Sequence, residues 1–301
     1  MFQYQILRGN MKLSYLTLNC LFALVAFSSS GQYCYSQNNN NNNTQIVQSQ
    51  LEKNYFADYP HLTTEMKRRL LPHLIQNDHP LKKKLDHLFA KKRITRSKND
   101  FVKAGFKILD ERPRSFVIVA RHEKLKDHLV KCYFDTEYRE KHDRPSWKWL
   151  INRCEGAKKI AKIIDKYDIK HFAVAKKWIY LQPLLEKNLP YKDLYTRHPA
   201  LLLVTDMKLV STQENLKAWK ILPTKEMLRE LYVIISQSGG SSYRADNIAY
   251  SKHFNKFCFI DSEYPTHKPD YSRIGHYMNA EMKAYWYQLV KDNNIDILNK
   301  K

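Results

Sequence analysis

Glycine and proline are both scarce in this chain. Its 301 residues include only seven Gly and eleven Pro, which excludes a collagen-like or low-complexity fibrous protein. No HExxH pair and no GxSxG elbow occur, so the motifs of zinc proteases and serine hydrolases are absent. Hydrophobic residues make up 43% of the chain, which is enough for most of it to fold around a sizeable core.

Cysteine is also sparse, and its spacing is uninformative. Cys20 and Cys34 lie in or beside an apolar leader, and there is no CxxC pair. Cys132, Cys154 and Cys258 each lie in an apolar run, where Cys behaves as a small buried hydrophobe. The pattern therefore predicts neither a disulfide framework nor a zinc site, and allows at most one disulfide pair.

Acidic residues are outnumbered by basic ones. The 30 Asp and Glu face 51 Lys and Arg, for a formal net charge of +21. Such a balance favours polyanionic partners: nucleic acid, acidic lipid or a polyphosphate ligand. The basic residues are spread along the whole chain, however, and the runs at 82–84 and 91–93 are typical of solvated helix faces. We therefore do not expect a dedicated nucleic-acid surface.

The N-terminus has the pattern of a signal peptide. Lys12 precedes the apolar run 13–27, and small residues follow it. We assign 1–36 to the signal peptide, with Met11 as an alternative start, and expect a secreted or exported protein. The run is too short and too polar for a transmembrane anchor. The Asn-rich segment 37–50 is predicted to be a disordered linker.

The pattern after the linker predicts an α+β fold. Residues 51–100 carry leucines at helical spacing and many lysines, which indicates a basic helical extension. Three strand-like runs follow without an intervening helix, near 106–110, 114–122 and 127–135, and predict an antiparallel meander. An apolar stripe from Trp147 to Ile164 then predicts a helix.

The second half alternates short strands with helices. "HFAVA" and "WIYLQP" read as short strands, and residues 200–207 read as a buried strand that ends in polar residues. A helix is predicted between a cap at Thr224 and a stop at Gly239. "NIAYS" and "KFCFIDSEY" predict a hairpin, and "NAEMKAYWYQLVKD" predicts a last helix.

In this order the elements resemble the protein-kinase-like fold, in the broad sense that includes the aminoglycoside phosphotransferases. The resemblance covers about 101–292 and implies a two-lobed domain behind the helical extension. An antiparallel N-lobe sheet with its helix would occupy 101–205, and a short helical C-lobe with a catalytic-loop-like hairpin would occupy 206–292. Residues 293–301 would form a tail. The chain is also similar to secreted proteins of amoeba-associated intracellular bacteria.

The resemblance implies a nucleotide site. Kinase-like proteins hold the phosphates of ATP with a lysine on the third strand, which a helix carboxylate orients. Lys131 in "LVKCYFD" looks like that lysine, and Glu155 in "RCEGAKK" looks like its partner. Asp206 and Met207 would then lie at the hinge that receives adenine.

The same resemblance implies a Mg²⁺ site and a gap in the catalytic loop. Asn247 of "ADNIAY" and Asp261 of "CFIDSEY" look like the two metal ligands of the family. Ser242 occupies the position of the catalytic Asp, five residues before the Asn, and Asp246 is the nearest acid that would replace it. No GxGxxG lies between the first two strands.

Three functions follow as hypotheses. The first is an exported, ATP- and Mg²⁺-dependent phosphotransferase with a degenerate catalytic loop, whose acceptor is a host protein or a small molecule. The second is a catalytically inactive, pseudokinase-type effector that binds a nucleotide or a protein. The third is a basic polyanion-binding protein.

Overall fold

The computed structural model describes most of the chain beyond the leader region. The described residues are 56–57, 59, 62–111, 117–137, 145–183, 185, 198–240, 243–263 and 266–292. All of them belong to one compact unit that spans Glu52–Lys301. The predicted signal peptide, linker and tail lie outside the described residues and stay predictions. Within the described ranges, no helix is both long and apolar enough to cross a bilayer.

The described residues form eight strands and seven α-helices. The strands are β1 Lys107–Glu111, β2 Ile118–Arg121, β3 His128–Cys132, β4 Phe172–Val174, β5 Lys177–Leu181, β6 Ala200–Thr205, β7 Ile248–Ser251 and β8 Lys256–Phe259. The helices are α1 Thr64–Leu70, α2 Pro80–Phe89, α3 Lys98–Lys103, α4 Ser146–Lys166, α5 Thr212–Ile221, α6 Lys225–Ser238 and α7 Ala280–Lys291. Short 3-10 turns occupy Leu71–His73, Ile94–Arg96, Glu123–Leu125 and Ile274–Tyr277.

A five-stranded antiparallel sheet forms the first half of the fold. Its strand order is β1–β2–β3–β6–β5, and each neighbouring pair is antiparallel. The predicted meander of β1, β2 and β3 is therefore confirmed, and so is the α+β class. The long α4 separates this meander from the later strands, as its apolar stripe predicted.

The sheet is covered on both faces at β6, which explains why the sequence of β6 is so apolar. Successive side chains of a strand point to opposite faces. Leu202 and Val204 join one apolar cluster with residues of α1 and α4. Leu201 and Leu203 join another cluster with residues of α2 and α3. A strand covered on both sides needs a continuous apolar run, which the sequence supplies.

The helical extension packs against the sheet. Leu70 of α1 is fully buried in the cluster that also contains α4. The backbone N–H of Ile75 donates a 3.0 Å hydrogen bond to the carbonyl of Ile179, which attaches the extension to the β5 edge. Lys83 and Lys84 are exposed, as expected for a solvated helix face.

A three-stranded sheet and three helices build the second half. The strand order is β4–β8–β7, where β4 runs parallel to β8 and β7 forms an antiparallel hairpin with β8. Phe257, Trp219 and Trp286 are buried in one cluster that joins the hairpin to α5, α6 and α7. The Trp219 Nε1–H also donates to the Ile248 carbonyl at 2.8 Å.

The ends of α6 follow the predicted signals. The Thr224 side chain accepts a 3.2 Å hydrogen bond from the Met227 N–H, as an N-cap should. The helix stops at Gly239, which has a φ of 68°, a left-handed conformation that glycine adopts without steric cost. Both predictions are confirmed.

The three cysteines in the described ranges are buried and free. Cys132, Cys154 and Cys258 form no disulfide with one another. Burial raises the pKa of Cys154 to about 12, and that of Cys258 to about 12. These thiols are therefore unreactive core residues, as their apolar surroundings in the sequence indicated.

Candidate functional site

One cleft of about 890 Å³ brings together most of the residues singled out from the sequence. It lies where β1, β2, β3 and β6 meet the segment 206–210 and the β7–β8 hairpin. The predicted site residues that line it are Lys131, Asp206, Met207, Asp246, Asn247 and Asp261. Glu155 is not part of this lining. Ser242 lies outside the described residues.

Lys131 is placed by β3 and forms part of the cleft lining. It pairs with Val119 of β2 and Leu202 of β6, and only 8% of it is exposed. Its ammonium donates to the carbonyl of Ile260 at 3.5 Å, immediately before Asp261. The β-sheet therefore holds one positive charge beside the end of the hairpin.

Asn247 and Asp261 lie at the open end of that hairpin. Ile248 pairs with Phe259, and the Ile260 N–H donates to the Asn247 carbonyl at 3.0 Å. Asn247 directly precedes β7 and Asp261 follows β8, so antiparallel pairing brings them close to each other at the ends of the two strands. The two residues are fourteen positions apart in sequence, and the hairpin spans that separation.

Arg153 of α4 is the side chain that binds Asp261. One of its terminal nitrogens, Nη2, donates to Asp261 Oδ2 at 2.5 Å and to Glu263 Oε1 at 2.5 Å. The guanidinium lies 3.6 Å from the ring centroid of Trp149, whose Nε1–H also donates to Glu263. Arg153 is 4% exposed and forms part of the cleft wall. It is thus a fixed, desolvated charge at the floor of the site.

A second buried cation supports the same segment. Lys177 of β5 donates to the Ser262 hydroxyl at 2.8 Å, and that hydroxyl donates to the Arg153 carbonyl at 2.9 Å. Burial lowers the pKa of Lys177 to about 8, although the nearby carboxylates of Asp261 and Glu263 oppose that shift. At neutral pH the ammonium therefore stays mostly charged.

Gly156 allows this close contact between α4 and the segment after β8. A Cβ at this position would lie 2.0 Å from the Ser262 carbonyl oxygen, which is far inside any real contact. Any larger residue would push the two backbones apart. The glycine of "RCEGAKK" is therefore explained by packing, one turn from Arg153.

Glu155 does not meet the role that the resemblance implied for it. Its carboxylate is 43% exposed and lies 3.8 Å from His73 of the extension. Burial, together with the nearby positive charges of Lys158 and Arg69, lowers the pKa of His73 to about 4. This histidine is therefore neutral at pH 7. Residues two positions apart on a helix point about 200° apart. Arg153 therefore faces the cleft, whereas Glu155 faces the extension.

Asp206 is held by the loop that follows β6. Its carboxylate accepts from Arg121 at 2.6 Å and from the Lys208 backbone N–H at 3.0 Å. Burial raises its pKa, but the hydrogen bond and charge of Lys208 and the charge of Arg121 outweigh this and leave the pKa lowered. Asp206 thus shapes the connecting segment, and its neighbour Met207 packs against Ala175 and Cys258.

Asp246 lines the cleft but has a local partner. Arg244 donates to its carboxylate at 3.0 Å, and both side chains are more than a third exposed. An exposed pair of this kind is worth little in stability.

Arg153, Lys177 and Glu263 were not anticipated from the sequence, although a signal was present. Arg153 falls within the α4 apolar stripe, three residues after Leu150, and a charge on a buried stripe needs an acidic partner. Lys177 alternates with Ile179 on one face of β5, which places it inward. A cation at an apolar position of a pattern therefore identifies a buried ion-pair partner.

Comparison with known proteins adds no identity to this geometry. No family model, no curated protein and no solved structure matches the chain. The fold itself defines an α+β protein, and within the described ranges no group of three or more His, Cys, Asp or Glu could hold a metal ion. The case for function therefore depends on the cleft.

Proposed function

We propose that the protein is a kinase-like domain whose cleft binds a nucleoside triphosphate such as ATP. One observation carries the proposal. Six residues selected from the sequence for this chemistry come from four separate places in the chain and line the same cleft. In kinase-like proteins a lysine on the third strand contacts the phosphates, and an Asn–Asp pair beside it lies at the metal end of the same nucleotide site.

The cleft lining contains both kinds of group that a nucleotide needs. Its apolar side chains include Leu129, Val204 and Met207, which offer a surface for a flat heterocycle. Lys131 and Arg153 supply positive charge to the same lining, where it would attract phosphates. A binding site with an apolar wall and a few convergent charges is typical of small-molecule clefts.

The Mg²⁺ expected from the resemblance does not fit the site as it stands. Asp261 Oδ1 is buried and has no hydrogen-bond partner, so one oxygen is available. The other oxygen of Asp261 is bound by Arg153 at 2.5 Å. A divalent cation about 5 Å from that guanidinium is repelled by roughly 7 kcal/mol at an effective dielectric constant of about 20. We therefore assign no step to a metal.

Two ion pairs favour nucleotide binding without phosphoryl transfer. Asp261 is neutralised by Arg153, and Asp246, the candidate base, is paired with Arg244. Transfer requires a metal at the phosphates and a base at the acceptor hydroxyl. We propose that the protein binds the nucleotide in a pseudokinase-type role, with ATP turnover slow or absent.

The test is direct titration of the full chain with ATP by calorimetry. We expect saturable binding that weakens by about tenfold or more in Lys131→Met, because a buried charge aimed at the phosphates is lost while its volume is kept. Lys126→Met is the matched control, since Lys126 is exposed beside the same strand. Absence of saturable binding, or equal affinity in Lys131→Met, would refute the proposal.

A further inference from the structure

We propose that Arg153 takes the place of a divalent cation, so that the cleft binds a nucleotide polyphosphate in the absence of metal. This inference rests on the proposed nucleotide site and concerns how its charge is supplied. It starts from the disagreement between the expected Mg²⁺ and the ion pair that occupies Asp261.

The first argument is that Arg153 is held in position from several sides. Its guanidinium contacts two carboxylates and stacks on Trp149. Its backbone carbonyl accepts from Ser262, and Gly156 lets α4 approach that segment closely. A side chain with this many buried contacts does not swing away to admit a metal.

Buried positive charge is the second feature. The charged side chains that line the cleft are three cations and four carboxylates, and Lys131 and Arg153 are the two of these cations that are buried. Arg153 contacts the partly exposed carboxylate of Asp261 and the buried carboxylate of Glu263. Lys131 and Arg153 therefore supply the buried positive charge that would face a polyanion.

The third argument is an unused donor. The Nε–H of Arg153 is buried and has no hydrogen-bond partner, and Arg153 forms part of the cleft wall. A buried donor left without a partner is unfavourable. A phosphate oxygen is the acceptor that a guanidinium binds best, so a nucleotide phosphate would satisfy this group.

The experiment measures ATP affinity of the full chain in excess Mg²⁺ and in EDTA. We expect the two affinities to agree within about threefold, whereas a site built around a metal would lose at least tenfold in EDTA. Wild-type protein alone decides this point. Binding that requires Mg²⁺ would overturn the inference and leave the proposed function intact, and no binding in either buffer would overturn both.

Variants then test whether Arg153 is responsible. The ATP affinity of Arg153→Gln in EDTA should be lower than that of wild type by about tenfold or more. Mg²⁺ should restore ATP binding to this variant, because Asp261 is no longer paired with Arg153. Arg153→Lys should keep metal-independent binding, and Lys162→Gln, an exposed lysine of the same helix, should match wild type. If Arg153→Gln does not fold, Arg153→Gln combined with Glu263→Gln keeps the charge balance. Equal EDTA affinities in wild type and the folded Gln variant would overturn the assignment.

Discussion

Replacement of Gly156 by alanine separates the observed packing from simple helix propensity. Gly156 lies in the middle of α4, where alanine stabilises an ordinary exposed helix by about 1 kcal/mol. In this protein the added Cβ would lie 2.0 Å from the carbonyl oxygen of Ser262. The two arguments therefore predict opposite signs for the change in the free energy of unfolding.

The size of the effect follows from the contacts behind that oxygen. To reach an ordinary contact distance, the Ser262 backbone must move away by about 1.4 Å. Overpacking of this kind costs about 1 to 3 kcal/mol. The movement also strains the 2.8 Å contact between Lys177 and Ser262 and the 2.5 Å contact between Arg153 and Glu263. The strain at these two contacts offsets the gain of about 1 kcal/mol in helix propensity, so we expect a net loss of about 2 kcal/mol.

Urea unfolding followed by circular dichroism measures this change. The corresponding fall in Tm is about 4 to 8 °C for a domain of this size. Lys162→Ala on the exposed side of α4 is the control and should change stability by less than about 0.5 kcal/mol. An unchanged or increased stability of Gly156→Ala would refute the close packing of α4 on the segment that carries Asp261.

Three further predictions concern individual side chains. Burial lowers the pKa of Lys177 to about 8, so the folded chain binds fewer protons than the unfolded chain between about pH 8 and 10.5. The free energy of unfolding of wild type should therefore rise across this window relative to that of Lys177→Met. Urea unfolding at several pH values measures this difference. A flat difference between the two proteins would contradict this pKa. Glu155→Gln should leave ATP affinity unchanged, since Glu155 faces His73 outside the cleft, and a tenfold loss would restore the role that the resemblance implied. Thr224→Ala should lower the free energy of unfolding by about 1 kcal/mol through loss of the α6 cap, and a stability equal to wild type would argue against that cap.

Much of the fold could be predicted because its signals are local. The continuous apolar run of β6, the cap and glycine stop of α6, and the alternation in the β7–β8 hairpin are each readable within a few residues. One helix, α5, was missed. Its start was nevertheless marked, since Ser211 and Glu214 form a capping box with reciprocal hydrogen bonds.

The candidate site was predictable only in part, because its ion pairs join distant elements. Strand-end positions such as Asn247 and Asp261 can be identified from the pattern alone. The partner of Asp261 depends on which way α4 is rotated against the hairpin, and that rotation is set by the contact at Gly156. If α4 were rotated about its axis by the angle between two residues, Glu155 would face the cleft in place of Arg153, and the sign of the charge at the site would be reversed. Sequence periodicity places Arg153 within the apolar stripe of α4, but it does not show that Asp261 is the carboxylate facing that stripe.

The charged residues beside the cleft form one cluster of ion pairs and hydrogen bonds. Arg153, Lys177 and Glu263 are buried beside Asp261, and Arg153 and Asp261 line the cleft. If one partner of such a pair is removed, the other is left as an unpaired buried charge, which is strongly destabilising. The cluster therefore contributes both to the packing of α4 and to the positive charge that we assign to phosphate binding.

The measurement that tests the central claim most directly is calorimetric titration of wild type and Lys131→Met with ATP. We predict that wild type binds ATP saturably and that the ATP affinity of Lys131→Met is lower by about tenfold or more. The ATP affinity of Lys126→Met should equal that of wild type. Absence of binding by wild type, or the same affinity in all three proteins, would contradict the claim that this cleft is a nucleotide site.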